Sequence, residues 1–225
     1  MQLTVIGVGP GDSELLTIKA VRMIKEADVI LVPVKKEGST NSTALSIAKP
    51  YIEDMDKVQY LYFPMIDCDE NKNYVDTIFK GNGEKINRQL QEGKKMVYLT
   101  LGDPMIYSTF TYISQYLDGV QYIPGIPSFL NGAALSKSPL CIGKESMAVV
   151  NMTDDEDTIK QVFNLHDSIV VMKVCTNQKL LKNLIEQGKR NAIFMSNIGL
   201  DNEHFTTDIN YLDEKVPYFT IGIIR

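Results

Sequence analysis

The fold class is legible first in Val97-Tyr98-Leu99-Thr100-Leu101-Gly102-Asp103-Pro104-Met105-Ile106-Tyr107-Ser108-Thr109-Phe110. Val97 to Leu101 is an apolar, strand-forming run that suits a strand buried on both faces. The run breaks at Gly102-Asp103-Pro104 and resumes at helical spacing, which predicts a helix over 106–117. Gly102 lacks the Cβ that would hold a ligand off the backbone. Asp103 offers a carboxylate acceptor, and Pro104 sets the chain direction into the helix. Ligands of open parallel sheets bind beyond the carboxyl ends of the strands, which makes this turn a candidate site. A plain strand-to-helix turn with Asp103 as a helix cap accounts for the same residues taken alone.

Outward from this turn, the chain alternates. Leu3 to Ile6 reads as a strand, and Asp12 and Ser13 as N-caps of a helix carrying Leu15, Ile18, Ala20, Met23, Ile24 and Ala27. Val29 to Val32 is a strand ending at Pro33, Lys35 to Asn41 a loop, and a short helix ends near Pro50. Val58 to Phe63 is a third strand, Asp67 to Asn73 a polar mobile loop, and Tyr74 to Gln91 a helix weakened by Gly81 and Gly83. Val120 to Ile123 is the fifth strand. Strand-helix alternation predicts an α/β fold whose first domain holds a parallel five-stranded sheet.

After Pro124 the pattern changes. Helices are predicted over 128–136, 154–164 and 178–187, and strands over 147–151, 168–174 and 192–196. The apolar runs in 204–212 and 217–224 leave little room for a helix between them, so they predict an antiparallel closing pair and a mixed second domain. The expected division is 1–125 and 126–225.

Two further turns stand beside the central one: Gly7-Val8-Gly9-Pro10-Gly11-Asp12 after the first strand, and Pro124-Gly125-Ile126-Pro127-Ser128-Phe129 after the fifth. In order, spacing and flanks these three turns resemble the tetrapyrrole (uroporphyrinogen/precorrin) methyltransferase family. Within it, Leu101 to Phe110 and the Pro-Gly-Ile-x-Ser-Phe turn are most similar to the precorrin-2 / cobalt-precorrin-2 C-20 methyltransferases. The resemblance spans the chain and is strongest before residue 145. It implies two α/β domains with S-adenosylmethionine folded in the cleft between them, a tetrapyrrole substrate and a homodimer. Carried over by motif, the cofactor contacts are Pro10, Leu101, Gly102, Asp103, Ile106, Pro127, Ser128 and Met172, with Ile198 a weaker match. Singly, Pro10, Ile106 and Met172 also read as core or turn residues.

The sequence departs from the family pattern at three places. Ser13 stands where proline is frequent, Pro127 where a second hydroxyl residue is common, and Lys173 where glycine often follows the strand. Pro127 therefore offers no hydroxyl donor, and Lys173 crowds the cofactor edge.

The implied reaction is in-line methyl transfer from a sulfonium to a ring carbon of an electron-rich macrocycle, which requires no protein nucleophile. Alignment of donor and acceptor can supply roughly 7–11 kcal/mol in such cases. A base to take up the departing proton is not securely nominated. Tyr107 is a catalytic candidate and reads equally as packing. Lys35, Lys36, Lys137 and Lys144 flank predicted loops, where they could meet substrate carboxylates or simply be solvated.

Rival readings remain beside this one. Other members of the same family act at different positions, such as C-11 or C-17, and a non-catalytic cofactor-binding regulator would share the turns. The glycines of the first turn also invite a dinucleotide-dependent oxidoreductase. That fit is poor: Asp12 opposes a pyrophosphate, and the acidic residue expected at the end of the second strand is replaced by Val32-Pro33.

Composition sets outer bounds. The chain has 225 residues, 44 % hydrophobic and 23 % charged, and a net charge of −5, which attracts neither nucleic acid nor anionic membrane. Cys68, Cys141 and Cys175 are too widely spaced for a disulfide framework or zinc site. His166 and His204, the only histidines, sit among polar neighbours in or beside predicted loops; no protein-bound metal is expected. Leu3 to Val8 is too short for a signal peptide core and no run approaches bilayer length, so a cytoplasmic location is expected.

Overall fold

The computed structural model describes residues 2–64 and 71–225, which fall into two compact units, Met1–Pro127 and Ser128–Arg225. Cys68 and the 67–70 part of the predicted mobile loop lie outside the described residues.

The first unit is a five-stranded parallel sheet in the order β3-β2-β4-β1-β5. Its strands are β1 (Leu3–Gly7), β2 (Val29–Val34), β3 (Val58–Tyr62), β4 (Met96–Thr100) and β5 (Val120–Ile123). Successive side chains on a strand point to opposite faces, so a sheet covered on both sides needs unbroken apolar strands. Ile6, Ile30, Val32, Val97 and Leu99 pack into one core with α1 (Ile18–Glu26) and α2 (Thr43–Ala48). Leu3, Val5, Val29, Leu31 and Tyr98 pack into another with α3 (Lys72–Gln91) and α4 (Thr111–Ser114).

The second unit carries a separate mixed sheet in the order β6-β7-β10-β8-β9. Its strands are β6 (Met147–Asn151), β7 (Ser168–Met172), β8 (Ala192–Ser196), β9 (His204–Thr206) and β10 (Thr220–Ile224). β6 and β7 pair parallel; the other pairings are antiparallel. Val150, Ile169, Val171 and Phe194 pack with α6 (Glu156–Leu165) and α7 (Gln178–Gly188). At Gly132 of α5 (Ser128–Leu135) a Cβ would stand 2.8 Å from Met195 Sδ and 2.9 Å from Ile198 Cδ1, so glycine there permits a close approach.

Several sequence expectations need correction. The helix over 106–117 shrinks to Thr111–Ser114, because Tyr107 adopts a left-handed backbone (φ 50°) and Ser108 bonds locally. The Ser108 hydroxyl meets Thr100 Oγ1 at 3.1 Å and accepts from Phe110 N at 3.3 Å, offering the backbone an alternative to the helical ladder. β2 does not stop at Pro33. It has already left β4 at Leu31, and Pro33 and Val34 pair only with β3, so the missing N–H costs no ladder bond on the β4 side. Asp12 caps a 3-10 turn, Ser13–Leu15, rather than α1, whose cap is Thr17. The polar stretch ending at Asn73 already contains the start of α3 at Lys72. The strand predicted over 168–174 stops at Met172, where Lys173 turns left-handed (φ 54°). The last two strands do not pair with each other: β8 lies between them and bonds both. His204 belongs to β9 rather than to a loop.

Candidate functional site

β1, β4 and β5 are neighbours running the same way, so the turns after them emerge at one carboxyl edge. The turns meet backbone to backbone. Gly9 N donates to Gly102 O at 3.2 Å, and Gly102 N donates to Gly9 O at 2.8 Å. A Cβ on Gly7 would stand 2.5 Å from Gly125 N and 2.6 Å from Gly102 O; one on Gly125 would stand 2.2 Å from Gly102 O. Real Cβ atoms do not approach backbone so closely, so these contacts require glycine at both positions. Gly102 is different. Its φ of +67° favours glycine, and nothing lies within 4 Å of where its Cβ would be, so the turn is open on that side.

Asp103 fastens this arrangement. Its Oδ1 accepts from Met105 N at 2.8 Å, closing a local turn, and its Oδ2 accepts from Gly125 N at 3.0 Å. The half-buried carboxylate is thus a tie between the turns after β4 and β5, and no helix begins at it to be capped. A carboxylate has about four lone-pair directions, so each oxygen keeps acceptor capacity toward a ligand.

Pro10 is buried in the first turn, while Leu101, Ile106 and Pro127 are half-buried. Met105 and Tyr107 project outward, 71 % and 52 % exposed. A left-handed conformation is rare for a bulky aromatic and is kept only where surrounding bonds over-determine it. Here Asp103 and Ser108 pin the loop on either side of Tyr107. Behind it, burial pushes the Tyr98 phenol well above the ordinary range, an effect that Thr109 partly offsets. At the same edge of the sheet, the Tyr62 phenol is raised first by its hydrogen bond with Tyr74 and then by burial. Lys35 and Lys36 are exposed just beyond the carboxyl end of β2.

The second unit holds the remaining predicted residues. Ser128 opens α5, and Met172 is half-buried at the end of β7. Ile198 is 5 % exposed and lies under Gly132 of α5, which makes it a packing residue as well as a candidate contact. Lys137 and Lys144 are exposed. Sequence reasoning passed over Asn151, the last residue of β6. It pairs directly with Met172 across the parallel ladder, and its Oδ1 is buried without a hydrogen-bond partner. The signal in the sequence was a lone carboxamide closing an apolar strand.

Among the described residues, no group of three or more His, Cys, Asp or Glu could hold a metal ion, and no helix is long and apolar enough to cross a membrane.

The sequence pattern of the tetrapyrrole (corrin/porphyrin) methylases matches residues 2–212. A cobalt-precorrin-2 C(20)-methyltransferase of Salmonella typhimurium is 30 % identical over 231 residues, covering 100 % of this chain and 96 % of that protein. A probable cobalt-precorrin-2 C(20)-methyltransferase of Methanocaldococcus jannaschii is 35 % identical, covering 78 % of this chain and 74 % of the relative. Among solved structures, a cobalt precorrin-4 methyltransferase matches with a TM-score of 0.71 at 16 % identity, covering 99 % of this chain and 94 % of the other. Uroporphyrin-III C-methyltransferase of Thermus thermophilus, complexed with S-adenyl homocysteine, matches at 0.68 and 16 % identity, with 100 % and 97 % covered. At such identities these two structures speak to the fold alone.

Proposed function

The chain belongs to the tetrapyrrole (corrin/porphyrin) methylase family, and from that premise we propose that it is an S-adenosylmethionine-dependent methyltransferase of cobalamin biosynthesis, acting at C-20 of precorrin-2 or cobalt-precorrin-2. The observation that carries the position of methylation is the end-to-end similarity to the Salmonella typhimurium C(20)-methyltransferase.

S-adenosylmethionine supplies the methyl group as an electrophilic sulfonium. The residues proposed to hold it are Pro10, Leu101, Gly102, Asp103, Ile106 and Pro127 of the first unit and Ser128, Met172 and Ile198 of the second. The open side of Gly102 supports this choice, since a ligand can there reach backbone groups that a side chain would cover. Asp103 contributes by holding two turns in fixed relation and by its remaining acceptor capacity. Positioning of this kind suits a reaction in which the acceptor carbon is its own nucleophile, and alignment is the main service the protein renders. Lys35 and Lys36 are the cations of the first unit proposed to meet substrate carboxylates. We further propose that the enzyme works as a homodimer in the cytoplasm.

The test is anaerobic incubation of the purified protein with precorrin-2 or its cobalt form and S-adenosylmethionine, with the product analysed by mass spectrometry and NMR. One added methyl at C-20 is expected. A methyl at C-11 or C-17 would reassign the position within the family. Absence of methylation together with NAD binding and no response to S-adenosylhomocysteine would overturn the assignment.

A further inference from the structure

Asn151 is 7 % exposed, and its Oδ1 is buried with no partner. Its main chain is fully engaged: the amide N donates to Asp154 Oδ2 at 3.1 Å, and the carbonyl accepts from Asp154 N at 3.1 Å. The side chain is therefore not needed to satisfy the local backbone. A buried acceptor without a donor costs stability, and replacing it by an apolar group of the same shape is close to neutral or stabilising. An asparagine kept at such a place has a use that the protein alone does not show.

Its neighbour indicates which use. Asn151 and Met172 are direct partners on parallel strands, so their side chains share one face of the sheet. It is the face opposite Val150 and Val171, which pack toward α6 and α7. The Met152 amide bonds to Met172 O at 3.0 Å, holding the two strand ends together beyond the ladder. The pair thus sets an apolar thioether beside a neutral carboxamide. A charged ammonium would be matched by a carboxylate, and a bare hydrocarbon would need no amide. A purine is apolar on its face and carries donors and acceptors on its edge. A carboxamide, whichever way its amide is turned, presents one donor side and one acceptor side. This is the pattern that pairs with the exocyclic amine and N7 of adenine, whereas the same edge of hypoxanthine offers two acceptors that no turn of the amide satisfies.

We propose that Asn151 recognises the adenine edge of the S-adenosyl group, its Oδ1 accepting from the exocyclic amine while Met172 lies against the base. This rests on the S-adenosylmethionine assignment of the site and names a residue within it. It also explains why the position is polar at the end of an otherwise apolar strand.

The experiment is calorimetric titration of S-adenosylhomocysteine and its deaminated analogue, S-inosylhomocysteine, into the wild-type protein and Asn151→Leu. Wild type is expected to bind S-adenosylhomocysteine and to bind the inosyl analogue about 10- to 100-fold more weakly, the range a paired carboxamide–adenine edge supplies. Asn151→Leu is expected to melt at or above the wild-type temperature without ligand and to bind S-adenosylhomocysteine weakly by a similar factor. It should no longer distinguish the two ligands. Equal binding of both ligands by wild type overturns the proposal, and that comparison needs no variant to fold. Wild-type affinity in Asn151→Leu overturns it too, as does a variant that weakens yet still discriminates against the inosyl base. If wild type binds no S-adenosylhomocysteine at all, the cofactor assignment itself fails, an outcome distinct from the others.

Discussion

Replacing Asp103 by asparagine changes one atom, and the geometry makes that atom count. Asparagine closes an Asx turn as well as aspartate, so its Oδ1 can keep the 2.8 Å bond from Met105 N. The other oxygen becomes an NH2 group, which cannot accept from Gly125 N, now bound at 3.0 Å. Donor then faces donor. Gly125 has little freedom to adjust, because the backbone of Gly7 and Gly102 is packed closely against it on its Cβ side. A hydrogen bond to a charged group contributes about 1.5–3 kcal/mol. In a chain of this size each kcal/mol shifts Tm by about 2–4 °C, so Asp103→Asn should lower it by about 3–12 °C. Asp103→Ala, which loses both bonds, should fall at least as far. Thermal melting of the ligand-free proteins by circular dichroism measures both. If Asp103→Asn melts with wild type while Asp103→Ala is destabilised, only the local turn matters and the tie to Gly125 carries no stability.

Two further outcomes follow from the same geometry and from the surface. Gly125→Ala places a Cβ 2.2 Å from Gly102 O and 2.7 Å from Gly7 C, all main-chain atoms. It should cost at least the roughly 1–3 kcal/mol typical of overpacking, seen as a lower denaturant midpoint. Asp167 accepts from Ser146 N at 2.8 Å and from Ser146 Oγ at 2.9 Å, and these bonds hold its carboxyl below the usual aspartate value. Its stabilisation is therefore present above the unfolded-state pKa and is lost as pH falls through the lowered folded value. Ser146→Ala removes one donor, so an NMR titration should show the Asp167 pKa moving back up toward the ordinary range, and acid unfolding should begin at higher pH.

Much of this protein was written in local pattern. Apolar runs such as Val29 to Val32 and Val97 to Leu101 announce strands covered on both faces, and their alternation with helices announces the parallel sheet. The three glycine turns were legible because Gly, Pro and Asp act on the chain within a few residues of themselves. What the pattern did not contain was the partner of each group. The helical spacing that begins at Ile106 was overruled as far as Phe110, because Ser108 found Thr100 and Tyr107 was held left-handed. The Asp103 carboxylate read as a ligand acceptor or, for the turn taken alone, as a helix cap; that Gly125, 22 residues on, donates to it was not in the pattern. The last strands looked like a hairpin until β8 stood between them. Asn151 carried no motif at all, and only its buried, unpartnered oxygen beside Met172 sets it apart. Propensity and turn chemistry act over a handful of bonds and survive in the one-dimensional record. Hydrogen-bond partnership, close backbone approach and burial depend on which distant segments the fold brings together, and those only the tertiary structure could decide.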